Sequence, residues 1–509
     1  MKATVLFSIG FLFVVFSLSA CNCPAVAKLP GENPTAGYNL KWTDRIRWSN
    51  VVCIEDFTAA TIEERFAAAQ NAIAQQGGGV VYFPPGVYKF IRSVYLRNGV
   101  IIRGADTGEI VDAQNQRYTP PTQFEFPKYT PSFKGRGTPI ETAFKGIYLE
   151  EPQRAGNCGI VNIAISHGHI DFQEGPEHQC GSNRLVYGCV LRNAAVADPR
   201  VPDTNGGQHR WQRFTQRHHA AISVKAERNI LIANNRLPES GDDNFIMQGY
   251  LIEGRLFDVT FDYDNRPGLY INNYGLGGSG GKGPNGTSRT HPWGFRKGIV
   301  IRDNYIFCTG RCAIAFTGDG TICANNVIRF KDNVWRPTAT GRNITKGSST
   351  NDNRAVQMRG WRWTVEANDY IVYRNWAADK KYKINDGEGL MHEDHVNSSV
   401  LDSRLINNRG NSYISIYKTG GINGLLVKGN DIRTAGGIAA IYVVANRNSG
   451  PYECKNVKII ENTTAGGGIH IAGNPAQKNL IENNRHIGDY GKIINEADAE
   501  CRNNTGYDM

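Results

Sequence analysis

The sequence predicts an all-β solenoid, a right-handed parallel β-helix with one α-helix laid across its N-terminal end. Three observations carry this. The first is a returning phrase: an alternating apolar run, then Asn, then another apolar residue. It reads NILIANNRL at 229–237, GIVIRDNYI at 298–306, TICANNVI at 321–328 and SVLDSRLINN at 399–408. It returns as GLLVKGNDI at 424–432, NVKIIENTT at 456–464 and NLIENNRH at 479–486. The second is its period: Asn304 to Asn326, Asn408 to Asn430 and Asn462 to Asn484 are each 22 residues apart. A fixed return in this range marks stacked repeats, each burying its apolar face against its neighbours. The third is the alternation itself, Val and Ile at every second residue, which is strand spacing. One Asn per coil would form a ladder, its side-chain amide bonded to the coils above and below.

Taken in order, residues 1–20 read as a lipoprotein signal peptide. Lys2 precedes an apolar stretch from Val5 to Phe16, short for a bilayer span. Leu18-Ser19-Ala20-Cys21 then resembles the bacterial lipobox, which would make Cys21 the lipidated first residue of the mature chain. An ordinary signal peptide cut near Ala20 is the alternative, and either way the chain is exported. Asn22, where Asp would mark inner-membrane retention, points to the outer membrane, periplasmic or surface facing. No later segment is apolar enough to cross a membrane. Residues 21–50 read as tether and lead-in, and 51–509 as a single domain, expected to be monomeric.

The chain has 509 residues, a length that ordinarily implies several domains, but solenoids grow in one dimension and no linker rich in Pro, Ser or Gly divides this one. A net charge of +10 and an isoelectric point near 9.0 favour an anionic partner. Export argues against nucleic acid, which leaves acidic polysaccharide or the cell's own envelope. Of 11 Cys, lipidation of Cys21 leaves ten. An oxidising compartment permits disulfides, but pairing cannot be read from spacing. Cys308 and Cys312 flank a turn and Cys323 follows one coil-step on; these read as structural.

Residues 61–75 read as the helix. Thr61 and Glu64 have capping-box spacing, and Ile62, Phe66, Ala69 and Ile73 mark one face. Gly77-Gly78-Gly79 stops it. Strands follow at 80–83, 87–90 and 100–104, with Pro84-Pro85-Gly86 as a turn. The helix would cover the apolar end and unpaired edges of the first coil. At these residues, GGGVVYFPPGVYKF followed by GVIIRGA, the chain resembles the N-terminal module of the pectate-lyase-like superfamily, which includes rhamnogalacturonases, polygalacturonases, lyases, epimerases and phage tailspikes. That family's acidic entry motif is replaced by Glu55-Asp56-Phe57-Thr58. The resemblance covers 51–105 closely; it implies the β-helix and, by analogy only, carbohydrate chemistry.

Insertions interrupt the period near 106–157, 249–296 and 330–352. In solenoids such loops often build the binding face. Aligning strands on an inward apolar residue gives a column: His219 lies three before Ile222, Asp243 three before Ile246, Arg311 three before Ile314 and Asn353 three before Val356, while Glu388 lies just before Leu390. Alternation then puts His218, His219, Asp242, Asp243, Arg311, Arg354 and Glu388 on one polar strip. The phrase GDDNFIM at 241–247 resembles the Gly-Asp-Asp strand of polygalacturonase-type hydrolases, which would give Asp242 and Asp243 catalytic roles. That family's other markers are replaced here by Arg217-His218-His219 and Gly310-Arg311-Cys312.

Interleaved Arg and aromatic residues suit a charged sugar chain, Arg by bidentate contact and Trp as a flat platform. The candidates are Arg210, Trp211, Arg213 and Arg217 in 209–219, Trp293 in 291–297, Arg354, and Arg359, Trp361, Arg362 and Trp363 in 358–363. The phrase GEGLMHEDH at 387–395 reads as a structural or surface segment, as an acid/base pair, or as a cation site at Glu393 and Asp394, for Ca²⁺ with the carboxylates alone or a transition metal with His. The functional expectation is an exported enzyme degrading an acidic glycan, uronate or sulfated. β-Elimination is favoured; hydrolysis by paired carboxylates and a non-catalytic glycan-binding or adhesive β-helix stay open.

Overall fold

The computed structural model describes residues 31–106, 119–127, 133–134, 138–139, 145–173, 179–192, 221–237, 247–252, 255–259, 269–272, 296–308, 312–331, 354–373, 388–393, 400–417, 419, 421–434, 439–447, 450–489 and 491–508. Each turn of chain lays down three strands, paired in parallel with those of the turns before and after. We call the sheets A, B and C in the order the chain visits them. The first coil supplies Gly79–Phe83, Gly86–Lys89 and Val94–Leu96. Among the described residues twelve coils follow this order, and sheet B takes one strand from each to become a 12-stranded sheet. The result is the expected right-handed parallel β-helix with an N-terminal helix.

Inward positions stack in columns of Val and Ile. In sheet A one column runs from Val81 and Ile102 through Ile160, Ile232 and Ile301 to Ile459 and Ile481, every member at 0% exposure. Burying each such side chain contributes roughly 2 kcal/mol before entropy is counted. Size is matched between coils as well: Tyr370 fills the interior of sheet B because its partner one coil on is Gly410, where a Cβ would sit 2.0 Å from the ring.

The bend from sheet A to sheet B explains the repeated phrase. Its first residue has positive φ in coil after coil, at Asn234 (57°), Asp303 (57°), Asn325 (55°), Asn407 (54°), Gly429 (66°) and Asn483 (55°). Asn, Asp and Gly tolerate that left-handed region best. The next residue is the ladder Asn. Asn235, Asn304, Asn326, Asn368, Asn408, Asn430, Asn462, Asn484 and Asn504 form a continuous chain of amide bonds, with Nδ2 to Oδ1 distances from 2.9 to 3.1 Å. Each Oδ1 also accepts a main-chain N–H, as Asn430 does from Asn408 N at 2.9 Å. Each amide also donates to an interior carbonyl, as Asn430 Nδ2 does to Leu405 O at 2.9 Å. The ladder thereby satisfies polar groups that the bend leaves inside the coil. Cys189 holds the rung before Asn235.

The helix, α1, runs Ile62–Gln75 with Thr61 as N-cap and the capping box with Glu64 formed. Phe66, Ala69 and Ile73 are buried on the first coil. Its polar residues finish the cap. Gln70 Nε2 donates to Tyr95 O at 3.0 Å and Gln70 Oε1 accepts from Arg97 N at 3.0 Å. Glu63 Oε1 accepts from Ile91 N at 2.6 Å and Arg92 N at 2.9 Å. The open edge of the first sheet C strand and its flanking loop is therefore paired rather than exposed.

Residues 31–50, expected within a tether and lead-in at 21–50, are packed structure. Trp42, Ile46 and Trp48 are buried against the outer face of sheet A, on Val80, Ile101, Leu185, Leu231 and Val300. Tyr38 reaches Asp303 Oδ2 at 2.9 Å. A second correction concerns the coil carrying Ile222. Its sheet C neighbour is Leu269, not Ile246, because Met247–Ile252 pairs antiparallel with Arg255–Val259 in a hairpin outside the coil ladders. Among the described residues no helix is long and apolar enough to cross a membrane.

Candidate functional site

The register of sheet C defines its outer face. Ile222, Ile314, Val356, Leu390 and Ile414 form one buried inward column, and Leu269 holds the same register position in its coil. The next residue along each strand has the outward parity, at Ser223, Ala315, Gln357, Met391 and Ser415, and all five are buried. The long insertions enter beside this face. From sheet B to sheet C the chain runs from Arg192 to Ile222, from Leu237 to Leu269, from Lys331 to Arg354 and from Tyr373 to Glu388. The connection from Asn272 to Lys297 leaves by the opposite edge of sheet C.

That path sorts the expected site residues. His218 and His219, with Arg210, Trp211, Arg213 and Arg217, belong to the connection into coil 4. Asp242 and Asp243 belong to the connection into coil 5, and Arg311 to that into coil 6. All of these, with Trp293, Asp394 and Cys21, lie outside the described residues. Arg354 and Glu388 open the sheet C strands of coils 7 and 8 and are register partners, as the aligned strip requires. The strip loses one anchor: Asp243 was placed in it through Ile246, and Leu269 holds that position.

Coil 7 provides the described centre of this face. Gln357, with its amide oxygen turned to the two guanidinium groups, accepts from Arg359 Nη2 at 2.8 Å and from Arg354 Nη1 at 2.9 Å. Arg354 is 1% exposed, so its role is to hold Gln357 rather than to meet a ligand, which corrects its expected part in substrate binding. Arg359 lies two residues beyond Val356's outward neighbour and is half-buried.

Three further expectations change. Trp363 is at 0% exposure inside the coil and stacks on His392, ring centroids 6.2 Å apart and 28° between planes. It is core, not a sugar platform, and buried His392 leaves the acid/base reading of 387–395 for the same reason. Arg362 sits at the bend from sheet C to sheet A with φ 50°. Its Nε donates to Asp319 Oδ1 at 2.7 Å and its Nη2 to the other carboxylate oxygen, so the pair ties down a corner. Trp361 is half-buried at the end of its strand. The MRGWRW phrase thus divides by parity into core, face and corner, which composition alone cannot reveal.

The sequence reading missed the aromatic and ionisable residues elsewhere on sheet C. In coils 1–3, Tyr95 stacks on Tyr148 at 5.5 Å and 25°, and Tyr148 Oη meets His169 Nε2 at 2.9 Å. In coils 9–12 Tyr417, Tyr442, His470 and Glu496 follow one another. Insertions of unequal length separate many of these strands, so no fixed period announced them. Glu393 occupies the register position of Tyr417 one coil earlier. Among the described residues no group of three or more His, Cys, Asp or Glu gathers as a metal site. A separate hollow of about 450 Å³, lined by Ile46, Arg47, Trp48, Asn50 and Gln76, lies under the lead-in, away from sheet C.

No protein-family model matches the chain, and no curated protein matches it. Solved structures do. The A-module of a mannuronan C-5 epimerase of Azotobacter vinelandii is 12% identical, with 90% of this chain and 99% of that chain covered, at a TM-score of 0.37. The surface adhesin PfbA of Streptococcus pneumoniae is 12% identical, with 90% and 92% covered, at 0.45. The catalytic unit of an alpha-1,3-glucanase from Streptomyces thermodiastaticus is 12% identical, with 91% and 70% covered, at 0.43. At these identities and scores the likeness says nothing of activity.

Proposed function

We propose that the protein binds an acidic polysaccharide along the outer face of sheet C and cleaves it by β-elimination. The observation that carries this is the cationic centre of coil 7, Arg359 held by Gln357 and Arg354, on the face beside which the insertions enter. Elimination needs three things. A cation must neutralise the uronate carboxylate, a base must take the proton on the carbon next to it, and an acid must protonate the departing glycosidic oxygen. The C–H pair becomes the new C=C bond as the C–O bond breaks. Arg359 supplies the first, joined by Arg311 and Arg217. His218 or His219 serves as base. The insertion 193–220 has 28 residues, ample length to reach from coil 4 to coil 7, a rise of about 14 Å. Ca²⁺ held by Glu393 and Asp394 is an auxiliary to be tested by chelation.

Hydrolysis by Asp242 or Asp243 with Glu388 is the second chemistry, and simple adhesion the non-enzymatic reading. Incubation with polygalacturonate, alginate, hyaluronan, chondroitin sulfate and heparin separates the classes. New reducing ends are expected; binding without any would select the adhesive reading. We also place the chain at the bacterial outer membrane through lipid on Cys21. Cys21→Ser is expected to release it to the soluble fraction, and unchanged membrane association would remove the lipid anchor.

A further inference from the structure

The outer face of sheet C changes character along its length. At coil 7 it presents Arg359. Two coils on, the same register position becomes Tyr417, and after Val444 and Ala472 it ends at Glu496. Beside this row stand Tyr442 and His470, register partners in coils 10 and 11. The rings meet edge to face, Tyr417 with Tyr442 at 6.4 Å and 72°, Tyr442 with His470 at 5.1 Å and 83°. His470 Nε2 lies 3.2 Å from Glu496 Oε2, with the Glu496 side chain 64% exposed. Between Tyr417 and Glu496 the row holds buried Val444 and half-buried Ala472, and the half-buried rings of Tyr442 and His470 stand beside them.

We propose that this patch of half-buried rings beside the exposed Glu496 carboxylate is a second sugar site, selective for an uncharged sugar unit. Its half-buried aromatic rings suit the C–H faces of a pyranose ring. The exposed Glu496 oxygens accept sugar hydroxyls in charge-assisted bonds, and Tyr442 Oη both donates and accepts. The same carboxylate repels a uronate or sulfate, the reverse of coil 7. The four coil rises from coil 7 to coil 11 span about 19 Å. One chain lying along sheet C would set an anionic unit on Arg359 and a neutral unit on Tyr442 and His470, so the substrate would be a heteropolysaccharide that carries both. The inference rests on the reading of sheet C as a glycan face.

The test is titration calorimetry on the full mature chain with neutral hexasaccharides of gluco-, manno-, xylo- and galacto- type, alongside hexagalacturonate. At least one neutral hexasaccharide is expected to bind. Tyr442→Ala should weaken it about tenfold or more, Glu496→Gln should weaken it severalfold, and Tyr442→Phe should keep most of the affinity. Arg359→Ala should leave neutral binding unchanged and lower that of hexagalacturonate. Failure of every neutral hexasaccharide to bind overturns the proposal. So does unchanged neutral binding in a Tyr442→Ala chain that melts like the parent, or loss of neutral binding in Arg359→Ala. If hexagalacturonate fails to bind while the neutral series behaves as stated, the second site stands and the acidic reading of coil 7 falls.

Discussion

At the scale of single residues, position on the strand decides what a side chain can do. Arg359 and Trp363 are four apart in one phrase, yet one stands on the outer face of sheet C and the other is sealed in the core. Arg359→Ala is therefore expected to lower kcat/KM on an acidic glycan by about 10²-fold, the scale of losing one charge-stabilising donor, with melting unchanged. Trp363→Ala should do the opposite, costing about 3–5 kcal/mol of stability with little change in activity per folded molecule. Steady-state kinetics and thermal melts on both variants check the pair. Sequence reading grouped them because parity within MRGWRW depends on where the strand ends and the bend begins. It found Arg354 and Glu388 as neighbours because both lie two residues before an inward aliphatic residue that fixes their register. It misplaced Asp243 because the Met247–Ile252 hairpin imitates a coil strand in alternation while pairing with its own return strand.

At the scale of elements, the bend between sheets A and B is the most legible part of the molecule. The left-handed residue and the ladder Asn are adjacent, and both restrict residue choice, so the phrase survives in sequence wherever the coil is regular. Asn430 accepts two bonds from Asn408 and donates to Leu405 O and to Asn462 Oδ1. Asn430→Ala would leave several buried groups unpaired and is expected to cost about 2–4 kcal/mol, read as faster amide exchange centred on coils 9 to 11. Unchanged protection there would show that the ladder is incidental. The capping helix was equally visible through Thr61, Glu64 and its apolar face. Gln70 was not, since an inward glutamine interrupts the apolar pattern, and only the edge it pairs explains it.

At the scale of the whole molecule, the apolar outer face of sheet A in the first six coils is buried by residues 31–50, so this lead-in belongs to the fold. Composition concealed this, because a short segment with two Trp and few strands looks like linker until its partner surface is known. The interior also sets a pH response. Burial pushes the thiol of Cys158 up to about 11 and those of Cys189 and Cys454 to about 12, against 9.0 when unburied. The unfolded chain therefore loses these protons first, and stability falls as pH rises from 9 to about 10, by roughly 1 kcal/mol per thiol. Melting temperature measured at half-unit steps through this window checks the sign; a rise would contradict it. The central claim is that coil 7 and its insertions form an eliminating site for an acidic glycan. The most direct test follows ultraviolet absorbance during incubation with polyuronates. Elimination predicts a growing absorbance from the unsaturated uronate end, lost in His218→Ala/His219→Ala and in Arg359→Ala. New reducing ends without that absorbance would contradict the claim and pass the chemistry to Asp242, Asp243 and Glu388.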